Sequence, residues 1–225
     1  MKKFLFFAFL ITFFACKKEV AETVEQPVIQ PILKVAIIGD QMALGEKMKH
    51  AETDAYPIQL QSLLGENYII KTFAVNNTTV LRKGNQPIWE DTLFQDAQDF
   101  QPNIVIIHLG WNDTKIRNWW RYGDEFIIDY GEMIDTFAAL GSKPKVMLCR
   151  PSRIFDTVNS MNDSTLIVGV LPNIDSLGVR RNLETIDLYQ ILEQRGDLFK
   201  YGIYPNKLAC RIMAETIYDA IISTF

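Results

Sequence analysis

The chain has 225 residues, 48% of them hydrophobic and 22% charged. That is enough for one medium domain plus a short extra segment, and the balance suits a packed core and not a disordered chain. A net charge of -4 and a pI near 5.3 exclude a broad nucleic-acid surface, and two histidines, His50 and His108, are too few for a multi-histidine metal site.

In chain order, Met1-Lys2-Lys3 precedes an apolar run from Phe4 to Phe14, followed by Ala15-Cys16. A basic start, a short apolar core and a small residue fit a signal peptide over 1–15, and the run is too short to span a bilayer. Ala15-Cys16 resembles a bacterial lipobox, with Phe13 where leucine is usual. The resemblance implies lipid on Cys16 and an exported protein held at the bacterial cell envelope. The alternative is an ordinary cleaved signal with an incidental cysteine. Residues 16–33 mix charge, Val, Gln and prolines, as a flexible tether does. Cys149 and Cys210 remain, and export permits a disulfide between them, although two separately buried thiols is the simpler expectation.

The domain is expected over 34–225. Val35 to Ile38 run apolar without a break and stop at Gly39, which reads as a buried parallel strand. Residues 45–55 read as a polar loop. Tyr56 to Leu64 has helical spacing, with Pro57 in the first turn and Gly65 as a stop. Further strands are expected over 68–75, 103–110, 145–150 and 183–188. Helices are expected over 91–100, 122–140, 164–177 with a kink at Pro172, and 206–222. Strands alternating with helices imply one parallel sheet covered on both faces, a three-layer α/β/α sandwich. Gln41, Asn77, Asn112 and Arg150 then gather at one rim, where such sheets bind ligands.

Gly39-Asp40-Gln41-Met42 and Leu109-Gly110-Trp111-Asn112-Asp113 resemble two sequence blocks of the SGNH/GDSL hydrolases, small single-domain esterases with a flavodoxin-like sheet. In the first block the residue after Gly-Asp is the nucleophilic serine. Here it is Gln41, whose carboxamide has no proton to lose and no attacking oxygen. In the Gly-x-Asn-Asp block the asparagine donates its side-chain N–H to the oxyanion, and Asn112 keeps that donor. The second block supplies a glycine whose backbone N–H completes the oxyanion hole. The aligned residue is Asn77, which tolerates a left-handed backbone but is expected to put its side chain where a substrate carbonyl sits. The fifth block, Asp-x-x-His-Pro, aligns with Tyr201-Gly202-Ile203-Tyr204-Pro205. Tyr201 replaces the orienting acid and Tyr204 the base, and a phenol holds its proton at neutral pH.

Loss of a triad nucleophile or base alone lowers turnover about a million-fold in one serine hydrolase. The resemblance with these departures implies a catalytically inactive relative that binds a small glycan or acyl-bearing ligand in the inherited cleft. Its ligand-facing residues are expected to be Asp40, Gln41, Asn77, Trp111, Asn112, Arg150 and Tyr204. No cofactor or nucleic-acid partner is expected. Two alternatives stay open, an active carboxylester hydrolase with rearranged groups and a protein-interaction scaffold. For the first, His50 reads as a solvated loop residue, His108 as a core histidine, Thr78 and Thr79 as turn caps, and Cys149 as an inert buried thiol. Trp89, Trp119, Trp120 and Tyr122 add rings near the expected rim, each as readily a gap-filler as a binding surface. Arg150 and Arg153 pair either with a ligand anion or with neighbouring carboxylates.

Overall fold

The computed structural model describes residues 31–157 and 160–224. The expected leader, Cys16 and the tether as far as residue 30 lie outside the described residues. The elements in order are β1 (Leu33–Gly39), α1 (Gln41–Leu44), α2 (Ala51–Asp54), α3 (Tyr56–Leu64), β2 (Tyr68–Ala74), α4 (Thr92–Asp99), β3 (Ile104–His108) and α5 (Ile116–Tyr122). They continue with α6 (Phe126–Ala138), β4 (Lys145–Arg150), α7 (Asp163–Thr165), α8 (Leu171–Arg181), β5 (Glu184–Asp187), α9 (Leu188–Leu192), β6 (Phe199–Lys200), β7 (Tyr204–Pro205) and α10 (Lys207–Ile222).

Strands β1 to β5 form one parallel sheet in the order β2-β1-β3-β4-β5. The register sets Gly39 beside Ala74 and beside His108, so three strands end together. Position decides sequence here. Val35 to Ile38 in β1 and Ile104 to Ile107 in β3 lie inside the sheet with both faces covered, and all are fully buried. Edge strand β2 alternates instead, with Ile69 exposed between buried or half-buried neighbours. Each fully buried Ile or Leu contributes about 1.5–3 kcal/mol. Helix α3 packs on α10 and α6 on α8, and these pairs complete the three layers.

Three local expectations are corrected. The 45–55 loop contains the short helix α2. The helix expected over 122–140 is α6, which starts only at Phe126 after a 3-10 turn over Gly123–Glu125, and the separate helix α5 ahead of it was not expected. Tyr122 leaves helical geometry (φ -134, ψ 6) and the Trp119 ring lies against Gly123. The kink expected at Pro172 is a widened turn. Leu166–Val170 is π-helical, with the Leu171 N–H bonded to the Leu166 carbonyl, just ahead of a proline that has no N–H to give. Asn173 Nδ2 then donates to the Gly169 carbonyl at 3.0 Å.

That widened turn is tight against α5. A Cβ on Gly169 falls 2.1 Å from Trp119 Cζ2. Gly169→Ala is therefore expected to cost about 1–3 kcal/mol by overpacking. At Gly65 a Cβ meets nothing within 4 Å and only the left-handed backbone (φ +72) resists, so Gly65→Ala is expected to cost about 1–2 kcal/mol. Urea midpoints of both variants against the parent chain check the order, and a Gly169→Ala chain as stable as the parent contradicts the packing.

Candidate active site

The site starts from the turn after β1. Gly39 is needed there because a Cβ would fall 2.7 Å from that of Ala43. Asp40 caps α1, its Oδ1 accepting the Met42 N–H at 3.0 Å. Gln41 follows as the first residue of α1 and is 3% exposed. After β3 the chain turns at Gly110 (φ +119), where a Cβ would clash with Val170 at 2.7 Å. A 3-10 turn, Asn112–Thr114, then aims Asn112 back at Gln41. Beyond β2, Asn77 is left-handed (φ 63) and directs its N–H inward.

These three residues meet. Gln41 Oε1 accepts the backbone N–H of Asn77 at 3.1 Å and Asn112 Nδ2–H at 3.0 Å. Gln41 Nε2 lies 3.4 Å from Asn112 Oδ1, and Asn112 Nδ2 also donates to Asp40 Oδ2 at 3.1 Å. A backbone N–H can only donate, so the Gln41 oxygen must face Asn77. The Asn112 nitrogen must then face both Gln41 Oε1 and Asp40. The arrangement is two N–H groups converging on one oxygen, which is the geometry that stabilises an oxyanion. The oxygen they hold is the protein's own.

The Asn77 side chain does not intrude, contrary to the expectation from sequence. It turns outward, and its Oδ1 accepts from Lys115 Nζ at 3.1 Å. Burial lowers the Lys115 ammonium from its ordinary value, against the pull of Asp40 and Asp113. Burial likewise pushes the Asp40 carboxyl up to about 7, opposed by the Met42 N–H.

Sequence reasoning missed Asp113, Lys115 and Asn118. Asp113 is fully buried and accepts the N–H groups of Val80 at 3.2 Å and Leu81 at 2.8 Å. Asn118 Oδ1 accepts from the Asn85 N–H, and Asp129 Oδ2 from the Arg82 N–H. Together they fix the long connection between β2 and α4 that carries Asn77. Asp113 stood inside the recognised Gly-x-Asn-Asp block, and that position was the available signal.

Other expected site residues fall elsewhere. Trp111 is 1% exposed and gives its indole N–H to the Ser152 carbonyl at 2.5 Å, so it is core and not a ligand-facing ring. Arg150 ends β4 but is ion-paired with Asp187 and Asp175, and Arg153 with Asp163. Tyr201 is 61% exposed with φ 53, and its ring meets Tyr204 edge-on at 6.5 Å. Tyr204 lines a hollow of about 200 Å³ with Lys47, Met48, Asp54 and Lys207. Burial raises its phenol from the ordinary value. Among the described residues, neither tyrosine hydrogen-bonds Gln41, Asn77 or Asn112. Exposed His50 lies 3.4 Å from Glu52. Buried His108 contacts the Tyr56 hydroxyl at 3.1 Å, and burial takes it down to about 4. Cys149 and Cys210 are free and buried, and burial raises both thiols, Cys210 to about 12.

A sequence model of the GDSL-like lipase/acylhydrolase family matches residues 37–212, which span β1 to the middle of α10. The chain belongs to this family. An acetylxylan esterase of Xylanibacter ruminicola is 33% identical, over 84% of this chain and 43% of that one, so the chain spans under half of that relative's length. Solved GDSL-type folds superpose closely. The M. smegmatis aryl esterase has a TM-score of 0.73 at 14% identity, covering 86% of this chain and 100% of its own. Est24, a carbohydrate acetylesterase from Sinorhizobium meliloti, gives 0.69 at 16%, covering 86% and 100%. The acetyl xylan esterase AlAXEase gives 0.66 at 19%, covering 84% and 100%.

In this GDSL-family site the proton on Asp40 is open to measurement. The folded chain holds it up to about pH 7, whereas an unfolded aspartate releases it near its ordinary value of 3.8. The group's contribution is therefore fully present below that value and is lost as pH rises towards 7. Relative to Asp40→Asn, the parent chain's urea midpoint is expected to fall between about pH 4 and about pH 7 and then to level. A difference that stays flat across that range contradicts a protonated Asp40.

Proposed function

We propose that this chain is a non-hydrolytic member of the GDSL family that binds ester-bearing carbohydrate at the inherited cleft. The observation that carries the reading is the Gln41 carboxamide. It takes the nucleophile's place in the chain, and its oxygen takes both N–H donors that would stabilise an acyl oxyanion. A carboxamide neither attacks an ester nor accepts a proton at neutral pH. The carbohydrate half of the reading draws on the named activities of the acetylxylan esterase and the carbohydrate acetylesterase.

Gln41 Nε2 keeps one long contact, to Asn112 Oδ1. It therefore retains a hydrogen for the carbonyl of an acetyl group, which it holds without attacking.

A second reading, hydrolysis by relocated groups, draws on the same relative. It needs a hydroxyl or thiol beside a base. The nearby hydroxyls of Thr78, Thr79 and Thr114 donate to the carbonyls of Gln86, Leu81 and Trp111. The binding reading is therefore preferred.

Hydrolysis of a short activated acetate ester decides between them. The parent chain is expected to match Gln41→Ala at the rate of the blank. Turnover above the blank that disappears in Asn112→Ala overturns the binding reading.

The same reading keeps the chain exported and held at the cell envelope by lipid on Cys16. Cys16→Ser is expected to move it from the membrane fraction to the soluble fraction. An unchanged distribution removes the anchor from the proposal.

A further inference from the structure

Helix α5 presents Ile116, Arg117, Trp120 and Arg121 outward on one face, at the three- and four-residue spacing that makes helical neighbours. Trp120 is 81% exposed. A large indole in water is a loss unless something covers it. Arg117 and Arg121 make no ion pair with a carboxylate among the described residues, unlike Arg150, Arg153 and Arg181.

The surface beside them is concave and continuous. One hollow of about 310 Å³ is lined by Ile116, Arg117, Trp120 and Arg121. It shares Trp120 and Arg121 with a groove of about 450 Å³ that includes Trp119, Asp124 and Asn173. On the other side Arg117 also lines a hollow of about 230 Å³ containing Lys115. Lys115 reaches Asn77 and through it the occupied oxyanion hole. Lys115 to Arg121 span about 9 Å of helix, room for more than one sugar ring.

We propose that this groove along α5 is a binding site for an acidic oligosaccharide, one carrying uronate carboxylates. A sugar ring stacks on Trp120, and the carboxylate pairs with Arg117 and Arg121, whose planar guanidinium groups match it. Asp124 and Asn173 take ring hydroxyls. The inference rests on the carbohydrate reading above and extends it from the ester to the chain that bears it. An anionic membrane is the other partner that basic and aromatic side chains attract. The hollows that continue from Trp120 towards Asn173 on one side and Lys115 on the other suit a linear chain of rings better than a flat lipid surface.

The test is calorimetric titration of the full chain with xylo-oligosaccharides that carry glucuronate, against the same backbone without it, each with and without acetyl groups. The uronate-bearing ligand is expected to bind at least about tenfold tighter at low salt, and the difference to shrink as salt rises. Arg117→Gln with Arg121→Gln is expected to erase that difference. Trp120→Ala is expected to weaken both ligands about tenfold or more, with Trp120→Phe restoring much of the loss. All these side chains are exposed, so unchanged melting temperatures show intact folds.

Equal binding of acidic and neutral ligands, or indifference to the arginine and tryptophan variants, overturns the proposal. So does binding to vesicles of anionic phospholipid with none to the oligosaccharides. If acetyl groups make no difference while Trp120→Ala still weakens binding, the cleft reading fails and this one stands. If acetyl groups matter and the α5 variants do not, this one fails alone.

Discussion

A buried carboxamide has to find partners, and in this fold the partners of Gln41 are two converging donors, the Asn77 N–H and Asn112 Nδ2–H, which the family resemblance aligns with an oxyanion hole. An unsatisfied buried donor costs about 1–3 kcal/mol. With a small hydroxyl at residue 41, the Asn77 N–H and Asn112 Nδ2–H would rely on water or substrate between turnovers. Glutamine supplies the missing acceptor from within the protein. On the proposed reading, losing the nucleophile and filling the hole are one substitution. The surrounding geometry survives because its hydrogen bonds are still made.

What holds the hole open lies one layer out. Asp113 accepts two backbone N–H groups from the connection after β2, and Asn118 and Asp129 accept two more from the same segment. That segment has little regular structure of its own, and it keeps Asn77 left-handed at its start. Asp40 and Asp113 sit in the dry interior beside one another's fields, and burial pushes Asp113, like Asp40, up to about 7. Lys115 is the cation that faces them. Around the Gln41 amide the interior thus holds two raised carboxyls and one lowered ammonium.

Much of this was legible before any coordinates. The unbroken apolar runs of β1 and β3 marked central strands, because only strands covered on both faces are apolar at every position. Gly39-Asp40 and Gly110-x-Asn112-Asp113 marked the two turns at the sheet's switch point, because each turn needs a glycine that a Cβ would obstruct. The direction of a side chain was less legible. Trp111 sits in the motif yet points into the core, since the residue before Asn112 in the 3-10 turn faces away from the hole. Arg150 stands at a strand end, but Asp175 and Asp187 come from later segments and claim it. Helix α5 was not legible because Ile116 to Tyr122 buries only Asn118 and so carries no apolar face. A periodic pattern marks only those helices that pack a hydrophobic stripe.

The reciprocal pairing of Gln41 with Asn112 has a consequence for any visitor to the cleft. The Gln41 oxygen is tethered to the receptor it occupies, so it competes at an effective concentration that no dissolved ester approaches in ordinary solutions. A foreign carbonyl enters the hole only by displacing a group that cannot diffuse away. On the binding reading proposed above, recognition therefore has to come from whatever grips the rest of the guest, and the occupied pair of donors acts as a closed door against which the guest is laid.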